Sequence, residues 1–158
     1  GLILVEHLYQ TALKWIGNKG EGTKNYRAYD RAYKIEVQGK PIIFGSSDLA
    51  FRGDCTKYNP EELLVASLSS CHMLWYLHLC SEAGIVVVRY QDYAVGKMNE
   101  TKNGSGKFTE AILQPEVTIT AESSLEQAQQ LHHEAHKFCF IANSVNFPVI
   151  CQPLIVRE

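Results

Sequence analysis

The sequence predicts an α+β fold in the order β-β-β-α-β-β-α-β, with antiparallel sheets packed around two core helices. Three features carry that reading: short runs of alternating apolar and polar residues at both ends of the chain, a long capped apolar helix after Asn59, and a second capped segment with helical periodicity after Ser123. At 158 residues with 46% hydrophobic and 20% charged side chains, the chain reads as one domain, residues 1–158, able to bury a core.

The first strand is expected within residues 7–16, which alternate loosely and then break at Gly17-Asn18-Lys19-Gly20 and Gly22. Tyr33, Ile35 and Val37 alternate with Lys34 and Glu36, and Gln38-Gly39-Lys40-Pro41 turns the chain into Ile42-Ile43-Phe44. That pattern is a hairpin. The polar segment from Gly45 to Tyr58, which contains Arg52, is long for a simple connection, and long ordered loops are often functional.

The first helix should run from Glu61 to about Ala83. Asn59 can cap it, Pro60 suits its first position, Glu61 and Glu62 complement the positive dipole end, and Gly84 stops it. Its apolar residues lie nearly all round, which predicts burial on most sides. A Val-rich strand over 85–97, a turn over 99–107 and a returning strand over 108–120 follow. Ser123 and Glu126 form a capping box, and Leu125, Ala128, Leu131, Ala135 and Phe138 recur at helical spacing up to Cys139. A closing strand begins after Pro148, with Ile150, Leu154 and Val156 as its apolar face.

Composition removes several functions. A net charge of -2 with scattered Lys and Arg gives no footprint for nucleic acid phosphates. The run Leu2-Ile3-Leu4-Val5 is too short for a signal segment and lacks a cationic flank, and no stretch is read as approaching the ~20 apolar residues of a membrane helix. No nucleophile elbow, P-loop or dinucleotide fingerprint is present. Five cysteines, at 55, 71, 80, 139 and 151, form an odd set without CxxC spacing, which fits a reducing cytoplasm rather than a disulfide framework.

Two constellations compete for the chemistry. Cys71 and Cys139 each hang from a predicted core helix; they are either inert small apolar side chains or a redox pair. The rival is a metal cluster: His132 and His136 stand four apart with Cys139 three further on, and His72 adjoins Cys71. No familiar ligand spacing completes that set, so neither a metal nor a cofactor is expected. Cys80, nine residues after Cys71, faces the opposite side of its helix, and Cys55 and Cys151 read as structural.

With Asn59-Pro60-Glu61-Glu62-Leu63 followed by Ser69-Ser70-Cys71, the chain resembles the OsmC/Ohr family, the osmotically inducible protein C and organic hydroperoxide resistance proteins. Trp15-Ile16-Gly17, Gly22-Thr23 and Ala135-His136-Lys137-Phe138-Cys139 add to the likeness, which runs the length of the chain. It implies a peroxidase acting on organic hydroperoxides, with Cys71 attacking, Cys139 resolving, a carboxylate at Glu61 and an activating arginine. Arg52 is the best match for the arginine, with Arg27 and Arg31 as alternatives. Two positions depart from the pattern: Phe140 stands where proline usually follows the second cysteine, and His72 replaces an apolar neighbour after the first.

Elementary chemistry asks for the same parts. At the ordinary thiol pKa of ~8.5 about 3% is ionised at pH 7, and a cation that lowers it to ~6 raises this to about 90%, worth ~3.4 kcal/mol. A second thiol then traps the sulfenic acid as a disulfide, and a dithiol or low-molecular-weight thiol must reduce it. Glu61 lies ten residues, or ~15 Å of helix, from Cys71 in its own chain. That gap, with the all-round apolar helix, predicts an intertwined homodimer in which each site takes its carboxylate from the other copy.

Overall fold

The computed structural model describes residues 4–158, so Leu2 and Ile3 of the early apolar run lie outside the described residues. The chain divides into two compact units, one ending at Pro60 and one beginning at Glu61. In the first, β1 (Ala12–Trp15), β2 (Tyr33–Glu36) and β3 (Ile43–Gly45) form an antiparallel sheet in that order, with Leu13 opposite Ile35 and Ile35 opposite Ile43. The expected hairpin turn is made by Gly39 at φ 79°. The segment after β3 is ordered by its own backbone. Ser46 is buried, donates its N–H to Tyr58 O at 2.9 Å and accepts Asp54 N at 3.0 Å on its hydroxyl. Asp48 caps a 3-10 turn over Leu49–Phe51, and Arg52 closes that turn in the left-handed region at φ 61°.

The second unit opens on α1 (Pro60–Ala83), which carries Glu61 and Glu62 in its first turn. Gly84 ends it at φ 75°, where a side chain would be strained, and Ile85 N donates back to Cys80 O at 2.9 Å. Burial of α1 is narrower than its composition predicts. Only the stripe Leu68, His72, Tyr76 and Cys80 is fully covered, while most other apolar residues are half-buried, Ala66 is exposed and Leu74 is 62% exposed. The reading that no stretch approaches a membrane span is also corrected, because α1 has 24 residues and a mean hydropathy of 1.4 over its best window. Its interior polar residues are uncharged Ser and His, so hydropathy stays high without an unbroken apolar run.

The later strands each bend. The Val-rich run is not one strand but β4 (Val87–Asp92) and β5 (Val95–Glu100), and its return is β6 (Gly106–Leu113) and β7 (Pro115–Ile119). The closing strand is likewise split at Gln152-Pro153 into β8 (Val149–Cys151) and β9 (Leu154–Arg157). The physical reason sits at the bend: Asp92 accepts Gln114 N at 2.7 Å, and Gln114 donates its amide to Tyr93 O at 2.7 Å. Ser69 of α1 donates its hydroxyl to the other Asp92 oxygen, tying helix to bend. One sheet has the order β4-β7-β9 and the other β5-β6-β8. In both, the last strand joins in parallel, β9 beside β7 and β8 beside β6.

Between β7 and β8 runs α2 (Leu125–Phe138). Its cap is Ser124, which accepts Gln127 N at 3.1 Å, one residue later than the expected capping box. Ser123 is buried instead and accepts Val86 N at 3.0 Å. Tyr76 and Cys80 of α1, Val117 and Ile119 of β7, Ala128 and Ala135 of α2 and Ile85 form the core. Alternation along β7 explains its share, since Val117 and Ile119 point in while Glu116 and Thr118 do not. In the closing strand the expected alternation is reversed: Ile150, Leu154 and Val156 are exposed, while Cys151 and Ile155 face inward. Ile155 packs on the core. Parallel pairing with β6 and β7 selects that face.

Candidate functional site

Cys71 lies midway along α1 and Cys139 caps the C-terminus of α2, and the fold brings the two free thiols near enough for each to bear on the other's ionisation. They differ in surroundings. Cys71 is half-buried, whereas Cys139 is 1% exposed. Burial and then the neighbouring Cys71 thiol push the Cys139 thiol up to about 11, against the Ala142 N–H that donates to its sulfur at 3.4 Å. The negative end of the α2 dipole opposes a thiolate there as well. Cys139 is therefore protonated at neutral pH.

An apolar wall adjoins the thiols. Trp75, one helical turn from Cys71, stacks on Phe138 with ring centroids 5.1 Å apart and meets Phe140 edge-on at 5.6 Å, so residues on both sides of Cys139 take part. Leu74, Trp75 and His78 line an open depression of about 290 Å³. Sequence reading did not single out Trp75, Phe138 or Phe140 for this place. The signal lay in Trp75 standing at i+4 from Cys71.

The rival cluster of His132, His136 and Cys139 does not form among the described residues. Seven residues separate His132 from Cys139, ~10 Å along the helix, and Cys139 turns to Cys71 instead. A different trio meets in the interior: His72 Nε2 is 3.0 Å from His132 Nδ1, and Cys151 Sγ is 3.6 Å from the first nitrogen and 3.7 Å from the second. Both histidines are buried. Burial holds His72 down to about 4, with His136 adding to the effect and Asp92 opposing it. Burial, and then His72, holds His132 down to about 3. Cys151 is pushed up to about 12 by burial and by the nearby Asp92 charge. The His132 ring stacks on Tyr76 at 3.7 Å, and its Nε2 has no partner among the described residues. Cys151, read from sequence as structural, is thus a chemical neighbour of two imidazoles. No local signal announces it, because pairing with β6 sets the facing of β8.

The other expected residues are placed as follows. Glu61 is half-buried in the first turn of α1, with carboxylate Oε2 buried and unpartnered among the described residues. Arg52, Arg27 and Arg31 belong to the first unit. Arg31 is committed there: it donates to Tyr29 O at 2.6 Å and Tyr26 O at 2.7 Å, and lies over both rings. Arg52 is exposed, with its guanidinium 6.0 Å from the Tyr26 ring centroid. Cys55 is exposed and Cys80 buried.

Comparison with known proteins follows the same lines. A search of curated proteins finds no match. The family model described as OsmC-like protein matches residues 53–152. An OsmC-like protein of unknown function from Vibrio cholerae is 31% identical, superposes with a TM-score of 0.84, and is matched over 94% of this chain and 100% of its own. Organic hydroperoxide resistance proteins from Elizabethkingia anophelis and Legionella pneumophila share the fold at 18% identity and a TM-score of 0.67 each. The first match covers 98% of this chain and 100% of the relative, the second 95% and 98%. The family model spans well over half of the chain and the Vibrio cholerae relative nearly all of it, and the chain belongs to the OsmC family.

Proposed function

We propose that this protein is a thiol-dependent peroxidase that reduces organic hydroperoxides to alcohols. The observation that carries the reading is the Cys71–Cys139 proximity, with one accessible thiol and one buried, protonated thiol in a family that includes organic hydroperoxide resistance proteins. The Cys71 thiolate attacks the terminal oxygen of ROOH; the O–O bond breaks, an S–O bond forms, and the departing alkoxide takes a proton to become ROH. Cys139 then displaces water from the Cys71 sulfenic acid and closes the disulfide, before further oxidation. A dithiol or low-molecular-weight thiol reopens it. The aromatic wall of Trp75, Phe138 and Phe140 favours an organic substituent over hydrogen peroxide.

In this reading Arg52 supplies the positive charge that ionises Cys71, and Glu61 acts from a second copy of the chain. The test is direct. Reduced protein is treated with one equivalent of an alkyl hydroperoxide and its disulfides are mapped by mass. A Cys71–Cys139 disulfide formed with one alcohol per protein is expected; both cysteines recovered as thiols would overturn the reading.

A further inference from the structure

The trio His72, His132 and Cys151 takes no part in the peroxidase chemistry, yet it joins α1, α2 and β8, segments 60, 79 and 19 residues apart in sequence. Three donor atoms converge on one point. The two ring nitrogens stand within hydrogen-bond distance of each other, and the Cys151 sulfur lies almost equally near both. A metal ion with bonds of about 2.0–2.1 Å to nitrogen and about 2.3 Å to sulfur at tetrahedral angles spaces its donors about 3.3 Å (N to N) and about 3.6 Å (N to S). The observed 3.0, 3.6 and 3.7 Å lie within a few tenths of an ångström of that pattern. All three donor atoms fall within 4.8 Å of one another.

We infer that His72 Nε2, His132 Nδ1 and Cys151 Sγ form a binding site for a divalent transition-metal ion of the zinc class. Two neutral imidazoles and one thiolate are the borderline-soft donor set that such an ion prefers, and the hard cations calcium and magnesium do not. Binding forms one metal–sulfur and two metal–nitrogen bonds, breaks the Cys151 S–H bond, and releases that proton to solvent; nothing is oxidised or reduced. The ion's own charge deprotonates a coordinating thiol even where burial alone would keep it protonated. The carboxylate of Asp92, close enough to act on both His72 and Cys151, offsets the remaining positive charge. Three protein ligands leave a fourth position open. Coordination through Nδ1 puts the His132 ring proton on Nε2, which has no acceptor among the described residues, and a missing outer partner of this kind weakens a site by about 10–100-fold. The site is therefore weaker than a fully supported one.

The test uses the reduced full chain, kept reduced by a phosphine, titrated with Co2+ as a spectroscopic probe and then with Zn2+. Saturation at one equivalent with a thiolate-to-cobalt charge-transfer band, displaced by zinc, is expected. Cys151→Ser should lose the band and weaken binding by more than about a hundredfold, beyond the cost of an outer partner. The Cys71→Ser/Cys139→Ser double variant should keep both. No uptake by the unmodified protein, a band that survives Cys151→Ser, or a band lost with Cys71 and Cys139 would each overturn the assignment. Should Cys151→Ser not fold, X-ray absorption of the zinc-loaded unmodified protein decides: one sulfur with two imidazoles supports the site, and two or more sulfurs overturn it. Loss of peroxide-driven disulfide formation would leave this result untouched, and the converse holds.

Discussion

At the scale of single residues, the two thiols have unequal roles that substitution can separate. Cys71→Ser should abolish alkyl hydroperoxide reduction to the uncatalysed level in a coupled thiol-oxidation assay. Cys139→Ser should still consume one equivalent to give the Cys71 sulfenic acid, take up a second to reach the sulfinic acid seen by mass, and lose multiple turnover. Retained turnover in Cys71→Ser would remove it from the role of attacking thiol. The pH behaviour of Cys139 follows from its surroundings. Its folded value, about 11, lies above the ordinary 9.0, so the stability gained by keeping it protonated is complete below about pH 9 and is lost as pH rises through about 11. Iodoacetamide capture of Cys139, followed by peptide mass, should keep accelerating up to about pH 11; a plateau below pH 9 would contradict this environment. Arg52→Ala tests the activating charge: kcat/KM should fall by about 30–300-fold, or ~2–3.4 kcal/mol, with little change in folding. The left-handed backbone of Arg52 adds interest to that position, because glycine would hold the same turn at less cost. The helix positions of both thiols were legible in the sequence because each helix carries strong local start or stop signals, whereas their roles were implied only by the family resemblance. The His72, His132 and Cys151 cluster was not, since it depends on the facing of a strand three residues long.

At the scale of elements, local chemistry and tertiary context divide the outcome. Caps and stops act within a few residues, which is why the reach of α1 from Pro60 to Gly84 was readable and the start of α2 came within one residue. Strand bends were not readable, because the Asp92 to Gln114 bond joins residues 22 apart and exists only once the ribbon has paired. The reversed facing of the closing strand has the same origin: its neighbours β6 and β7 decide which side is covered. One element-level consequence can be measured. Gly84→Ala places a side chain at φ 75°, so it should destabilise by about 1 kcal/mol, or 2–4 °C in Tm for a chain of this size, without altering disulfide formation. Unchanged Tm would mean that the α1 terminus relaxes freely.

At the scale of the whole molecule, many large apolar side chains stay open in the single chain. Leu13, Ile42, Ile43 and Phe44 of the first unit and Leu74, Val86 and Val88 of the second are exposed, which a second copy would cover. Sedimentation at micromolar concentration should give a dimer, and Glu61→Gln should reduce activity while leaving Cys71 and Cys139 able to form a disulfide with a chemical oxidant. A fully active monomer would defeat the shared-site reading. The bent strands have a further effect on how the chain is made. Residues 149–157 supply the third strand of both sheets in the second unit, pairing in parallel with partners 38 residues earlier in register. Neither sheet can be completed while that segment is still inside the ribosome. During synthesis β6 and β7 therefore wait with an open edge, which is a template for pairing with another chain until residues 149–157 arrive.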